Sequence, residues 1–124
     1  MATKVLLADN EPNLMVSLEY LLQRQNYEVM ACSNGHEALE LIDREQPAIV
    51  IADVLLPGQS GFEICQQLKS NETLASTPTL LLSARARETD AAKARALGAD
   101  AFLSKPFSIS DFLDQIDALL GLAQ

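Results

Sequence analysis

The segment Ala48–Ala52 reads AIVIA, and it is followed by Asp53 and then by VLLPGQSG at residues 54–61. Its five consecutive apolar residues do not alternate with polar ones, which is typical of a strand that is covered on both faces. Strands of this kind belong to parallel sheets with helices on both sides. The segment therefore predicts a buried parallel strand that ends at a carboxylate.

Other short apolar runs lie on both sides of this segment, and longer amphipathic segments separate them. The predicted strands are Lys4–Ala8, Glu28–Ala31, Ala48–Ala52, Thr79–Leu82 and Ala101–Leu103. Helices are expected from Pro12, around residues 38–42, from about Phe62 to Lys69, from Glu88 to Leu97, and from Ser108. Gly98 is well placed as a left-handed cap of the fourth helix.

Five strands that are each followed by a helix predict an α/β fold with a doubly wound parallel sheet. No repeat or linker divides the sequence, so we expect residues 1–124 to form a single domain. In such sheets ligands bind beyond the carboxyl ends of the strands. The residues that directly follow each apolar run are therefore the candidates for function.

Composition narrows the class of protein. Seventeen acidic residues and nine basic ones give a formal net charge of -8, which disfavours direct nucleic-acid binding. Cys32 and Cys65 match no metal or redox spacing, so buried, reduced thiols are expected. No signal peptide or membrane-spanning run is found, and a cytoplasmic location without membrane partners is the expectation.

The residues after the strands carry a consistent chemistry. Asp9, Asn10 and Glu11 follow the first run, Asp53 the third, Ser83 the fourth, and Lys105 with Pro106 the fifth. Each residue alone is explained by a turn or a helix cap. Together they are not, because clustered carboxylates repel one another unless a cation compensates.

A hard divalent cation such as Mg²⁺ would remove that repulsion, since it prefers oxygen ligands. It would also neutralise an incoming phosphoryl group and leave Asp53 as the nucleophile. Ser83 and Lys105 could then donate hydrogen bonds to the phosphoryl oxygens.

Four segments carry a resemblance to a known family. They are KVLLADNEPN, IVIADVLLPGQSGFEIC, LLLSARA and GADAFLSKPF. Over essentially its whole length the chain resembles the receiver domain of bacterial two-component systems. The resemblance implies a flavodoxin-like sheet with strand order 2-1-3-4-5. It also implies a phosphorylated switch that catalyses at most its own phosphotransfer and dephosphorylation.

The same resemblance implies a role for each matching residue. Asp53 corresponds to the phosphoacceptor, and Asp9 to the acid that holds the metal through water. The backbone carbonyl of Leu55 corresponds to a Mg²⁺ ligand. Ser83 corresponds to the hydroxyl that turns toward the phosphoryl group, and Phe102 to the aromatic ring that moves with it.

Lys105 corresponds to the family's lysine beside the phosphoryl group, and its bond to Pro106 is expected to be cis. The second acid of the family's pair, usually a direct metal ligand, is Asn10 here. An amide brings no charge, so weaker Mg²⁺ binding is expected than in an Asn10→Asp variant. Glu11 is common beside the pair and need not compensate.

The resemblance implies that Leu55 and Arg85 occupy positions that, in this family, influence how fast the acyl phosphate hydrolyses. Leu55 cannot orient an attacking water, so a long-lived phosphoryl state is expected. Asp100 with Ala101, and Gln115, stand where relatives fused to winged-helix DNA-binding domains carry two acids and an arginine. This lowers the expectation of that subfamily's dimer.

The expected partners are a sensor histidine kinase or phosphotransfer protein and an unidentified downstream protein. The sequence stops soon after the fifth helix, so the chain is either a stand-alone receiver or part of a longer regulator. A second copy could pair through charges on the last two helices, but two solvated helix faces are the favoured explanation of these charges. The charged residues are Arg85, Arg87, Lys93, Arg95, Asp111, Asp114 and Asp117.

Three rival functions are less favoured than the phosphorylated switch. A phosphate-independent interaction module is favoured by Asn10, but Asp53, Ser83 and Lys105 count against it. A phosphatase with an Asp nucleophile would need a second Asp where Leu55 stands. A nucleotide-binding domain would need a glycine-rich loop after the first strand.

Overall fold

The computed structural model describes residues 2–84 and 88–122. Its strands are β1 Lys4–Ala8, β2 Glu28–Cys32, β3 Ile49–Asp53, β4 Thr79–Ser83 and β5 Ala101–Ser104. Its helices are α1 Pro12–Arg24, α2 Gly35–Glu45, α3 Gly61–Lys69, α4 Glu88–Ala96 and α5 Ile109–Leu122. Arg85 and Arg87 lie outside the described residues.

The strands form one parallel sheet in the order β2-β1-β3-β4-β5, which confirms the expected fold class. All four pairings are parallel, and Asp53 at the end of β3 pairs with Leu82 of β4. The chain moves outward from β1 to β2 and then returns past β1 to β3. The strand order therefore reverses between β1 and β3, which is where such sheets bind ligands.

Two apolar cores cover the two faces of the sheet. Successive side chains along β1 point into different cores, with Leu6 on one face of the sheet and Leu7 on the other. The first core contains Ala38 of α2, Phe62 of α3 and Ala94 of α4, and the second contains Leu18 of α1 and Phe112 of α5. Since each fully buried leucine or phenylalanine contributes about 2 kcal/mol, the cores fix the strands that carry the site.

The helix boundaries follow from local chemistry. Pro12 stands in the first turn of α1, where its missing N–H costs nothing. Ser60 and Glu63 form a reciprocal capping box at the start of α3. At α5 the Ser108 hydroxyl accepts a hydrogen bond from the Asp111 N–H at 2.9 Å, which satisfies one donor of the first helical turn. Four of the predicted strands, β2 to β5, end one residue later than expected.

Two glycines are required by the backbone. Gly98 follows α4 with φ of +93°, the left-handed conformation that was predicted for it. Gly61 lies against β3, because a Cβ at this position would be 2.5 Å from the carbonyl oxygen of Asp53. The start of α3 is thus in direct backbone contact with the end of β3.

Candidate functional site

The carboxyl edge of the sheet gathers the residues that follow the strands. Asp9 comes directly after β1, Asp53 and Ser83 end β3 and β4, and Lys105 comes directly after β5. Three of these side chains are buried, with exposures of 0% for Asp9, 4% for Asp53 and 0% for Ser83. A cluster of buried polar groups needs partners within the protein, because the loss of water is otherwise uncompensated.

Lys105 provides those partners. Its Nζ donates to Asp9 Oδ2 at 2.7 Å, to Glu11 Oε1 at 2.8 Å and to Asp53 Oδ2. The Lys105 side chain is only 8% exposed. An ammonium group has three N–H donors, so each of them can meet one carboxylate.

Backbone donors hold the second oxygen of both buried carboxylates. The Glu11 N–H donates to Asp9 Oδ1 at 2.9 Å, and the Leu55 N–H donates to Asp53 Oδ1 at 2.7 Å. In both cases the donor follows two residues after the aspartate, which is the spacing of an Asx turn. Each aspartate is therefore fixed from one side by its own turn and from the other by Lys105.

The electrostatics of the cluster are unbalanced. Burial raises the pKa of Asp9, and its hydrogen bonds to Lys105 and Glu11 only partly oppose that rise. Burial alone would lower the pKa of Lys105, but its bonds to Asp53, Asp9 and Glu11 raise it above its ordinary value. Three carboxylates thus share one ammonium, and the site retains excess negative charge.

The same groups fit a hard divalent cation. Carboxylate oxygens of Asp9, Glu11 and Asp53 all lie within 4.8 Å of one another. Several closely spaced, anionic oxygen donors form the ligand set that Mg²⁺ prefers. The donor chemistry of this edge therefore matches the cofactor that the sequence predicts.

The other residues named from the sequence lie at or near this edge. Asn10 is exposed, and the Leu55 side chain points to solvent with 51% exposure. Phe102 is half-buried on β5 and packs against the core that contains α4. The peptide bond between Lys105 and Pro106 is cis. Arg85 cannot be placed, since it lies outside the described residues.

Glu11 is the residue whose position sequence reasoning undervalued. It was expected to be an incidental neighbour of the pair, yet its carboxylate binds Lys105 and joins the acidic cluster. The available signal was its place two residues after Asp9, which allows its N–H to close the turn on that side chain.

A cavity of about 370 Å³ opens beside Lys105. Its wall is largely apolar, and the charged side chains of Glu11 and Lys105 form the rest. Its lining residues are Glu11, Leu14, Ala84, Lys105, Pro106 and Phe107.

Known proteins share this sequence and this architecture. Residues 5–117 match the family described as Response regulator receiver domain. Alkaline phosphatase synthesis transcriptional regulatory protein PhoP of Bacillus subtilis is 36% identical over 97% of this chain. The match covers 49% of PhoP, so the chain spans about half the length of that relative.

Two solved structures illustrate the structural similarity. Chemotaxis response regulator CheY4 of Vibrio cholerae is 28% identical with a TM-score of 0.89, over 97% of this chain and 100% of that one. The receiver domain of a sensor histidine kinase from Pseudomonas aeruginosa has a TM-score of 0.88 at 21% identity, over 98% and 99%. That structure contains a magnesium ion coordinated in its active-site cleft.

Proposed function

This chain belongs to the response regulator receiver domain family of two-component systems, and we propose that it is switched by phosphorylation of Asp53. Receiver domains are phosphoacceptor switches rather than conventional enzymes. The observation that carries the proposal is the buried Asp53, held by the Leu55 N–H on one oxygen and by Lys105 on the other.

This arrangement suits a nucleophilic carboxylate. Fixing both oxygens of Asp53 orients the side chain before the phosphodonor arrives, so little entropy is lost in the reaction. One oxygen of Asp53 attacks the phosphorus of a phosphohistidine donor, and the bond between phosphorus and the histidine nitrogen breaks. An aspartyl phosphate forms, and the histidine takes up a proton from water and leaves as neutral imidazole. Lys105 then transfers hydrogen bonds from the carboxylates to the phosphoryl oxygens.

Mg²⁺, held by the carboxylates of this edge and by the Leu55 carbonyl, would neutralise charge on the phosphoryl group. The receiver domain from Pseudomonas aeruginosa, which has magnesium in its cleft, supports this choice of ion. The residues of this chain supply the remaining contacts, with Lys105 on one side and the Ser83 hydroxyl at the end of the neighbouring strand.

The switch itself would run through β4 and β5. Ser83 lies at the end of β4, and Phe102 lies on the adjacent strand, paired with Leu81. Movement of the Ser83 hydroxyl toward a phosphoryl group changes the space beside Phe102, whose ring packs on the α4 side. We therefore assign partner switching to the face formed by α4, β5 and α5.

The donor would be a partner histidine kinase or a phosphotransfer protein, and the output a downstream protein. PhoP is a transcriptional regulator of about twice this length. A direct output on nucleic acid is not proposed for this chain, because its net charge of -8 opposes it.

The decisive experiment is intact mass spectrometry after incubation with a small-molecule phosphodonor, with and without Mg²⁺. We expect one phosphoryl adduct that requires Mg²⁺ and is lost in Asp53→Asn. Asp100→Asn is the matched control, because it neutralises another lysine-bound carboxylate far from the site. An adduct that persists in Asp53→Asn would overturn the assignment.

The alternative is an interaction module that does not use phosphate. Folded wild-type protein that takes no adduct under any condition would favour this alternative. The charge-neutral Asn10 would then be the first residue to change to aspartate, because an added carboxylate would restore the family's acid pair.

The lifetime of the phosphoryl group is a second property to test. The exposed, apolar Leu55 side chain offers no hydrogen bond to an attacking water. We expect a slow loss of the adduct, and a several-fold shorter lifetime in Leu55→Asn. A Leu55→Met variant controls for the loss of the native side chain; equal lifetimes in all three proteins would contradict the idea.

A further inference from the structure

We propose that Glu11 supplies the second side-chain carboxylate of the Mg²⁺ site, in place of the uncharged Asn10. This inference rests on the proposed function, because it concerns the same cation. The supporting geometry is that Glu11 and both buried aspartates bind the same ammonium group. Glu11 Oε1 lies 2.8 Å from Lys105 Nζ, the nitrogen that also binds Asp9 and Asp53.

Charge supports the same assignment. Without Glu11, two carboxylates and one ammonium leave a formal charge of -1, which attracts a dication weakly. With Glu11 the formal charge becomes -2, which a dication balances. The affinity of oxygen-ligand sites follows the number of charged ligands, so Glu11 is expected to matter more than the amide of Asn10.

Glu11 is also free to act as a ligand. Its side chain is 55% exposed, so the carboxylate can turn from Lys105 to a cation without disturbing the core. Its backbone is nevertheless fixed, because the Glu11 N–H binds Asp9 Oδ1 at 2.9 Å. The turn after β1 thus holds the side chain at the mouth of the cluster.

The test is isothermal titration calorimetry of Mg²⁺ into the full chain at about 0.15 M KCl, where distant surface charges are screened. We expect Glu11→Gln to raise the Kd about tenfold and Asn10→Ala to raise it less than about threefold. Glu11→Asp keeps the charge and should fall between wild type and Glu11→Gln. Glu40→Gln, an exposed carboxylate on α2, should leave the Kd unchanged.

A second comparison separates direct binding from an effect through Lys105. In a Lys105→Met background, Glu11→Gln should still weaken Mg²⁺ binding by a similar factor. If that effect disappears, Glu11 acts through Lys105 and the inference is wrong. It is also wrong if Asn10→Ala weakens binding more than Glu11→Gln, or if wild type binds no Mg²⁺.

These outcomes are distinct from those of the phosphorylation experiment. An adduct on Asp53 with no role for Glu11 in Mg²⁺ binding would remove this inference and keep the proposed function. Mg²⁺ binding that depends on Glu11, without any adduct, would keep this inference and remove the proposed function.

Discussion

Two lysines, one at each end of the sheet, each bring distant segments together, but the number of carboxylates around them differs. At the carboxyl end Lys105 meets three carboxylates, from Asp9, Glu11 and Asp53. At the amino end Lys69 meets one carboxylate, Asp100 at 3.5 Å, and the backbone carbonyls of Ala75 and Thr77.

The second cluster, defined by Lys69, Asp100 and Thr79, is balanced. One ammonium faces one carboxylate, and Asp100 also accepts from the Thr79 N–H at 2.8 Å. It ties the end of α3 to the starts of β4 and β5. Hydrogen-bonded ion pairs thus stabilise both ends of the sheet, but only the carboxyl end keeps an excess of negative charge that suits a cation.

The largest expected contrast is between Lys105→Met and Lys69→Met. Lys105→Met leaves two buried carboxylates without their ammonium, so we expect a loss of about 3 kcal/mol in the free energy of unfolding. Lys69→Met removes bonds at a more exposed position and should cost about 1 kcal/mol. Urea unfolding without Mg²⁺ measures both. Equal losses would contradict the expected difference between the two clusters.

The second largest contrast is the stabilisation by Mg²⁺, which should depend on the carboxyl end of the sheet and not on the amino end. At about ten times its Kd, Mg²⁺ should stabilise the wild type by about 1.4 kcal/mol, because it binds only the folded site. Asp100→Asn should keep this gain in thermal unfolding experiments, and Asp53→Asn should lose most of it. A gain that depends equally on both aspartates would mean that the ion binds diffusely.

Neutralising one aspartate at each end of the sheet should change the free energy of unfolding in opposite directions. Asp9→Asn relieves the crowded charge and keeps an acceptor for the Glu11 N–H, so we expect a higher free energy of unfolding at pH 7. Asp100→Asn loses its attraction to Lys69 and should cost about 0.5 kcal/mol. Denaturant midpoints without Mg²⁺ report both, and effects of the same sign would contradict the contrast.

The smallest effect is the pH dependence of that gain. The pKa of Asp9 is raised in the folded protein, so the folded state binds its proton more tightly than the unfolded state. The contribution of Asp9 to the free energy of unfolding therefore falls as the pH rises above its unfolded pKa of about 3.9. The advantage of Asp9→Asn should be present at pH 7 and shrink below about pH 4. An advantage that grows in acid would refute this sign.

The sequence predicted the site better than the amino-end cluster for a physical reason. An apolar run reveals a strand, and in a parallel sheet the residue after each strand must lie at one edge, which brings Asp53 near Lys105. The order of the strands needed the family resemblance, since the alternation of strands and helices does not say which strands are neighbours.

Hydrophobic periodicity does not predict which contacts the side chains on turns make. Glu11 reaches Lys105 because the Asp9 side chain closes the turn, which no periodicity records. Lys69 meets Asp100 across a helix end and two strand starts, so nothing in its neighbouring sequence indicates the pair. The half-buried position of Phe102 likewise depends on the packing of α4 beside β5.

The contact between Gly61 and β3 has a consequence for protein engineering. A Cβ at this position would meet the carbonyl of Asp53 at 2.5 Å and the Val54 Cα at 3.0 Å, and both are backbone atoms that cannot step aside. In a saturation library, even alanine at this buried first residue of α3 should be depleted as strongly as a core substitution. A designer who wishes to re-aim Asp53 would have to rebuild the start of α3 with it.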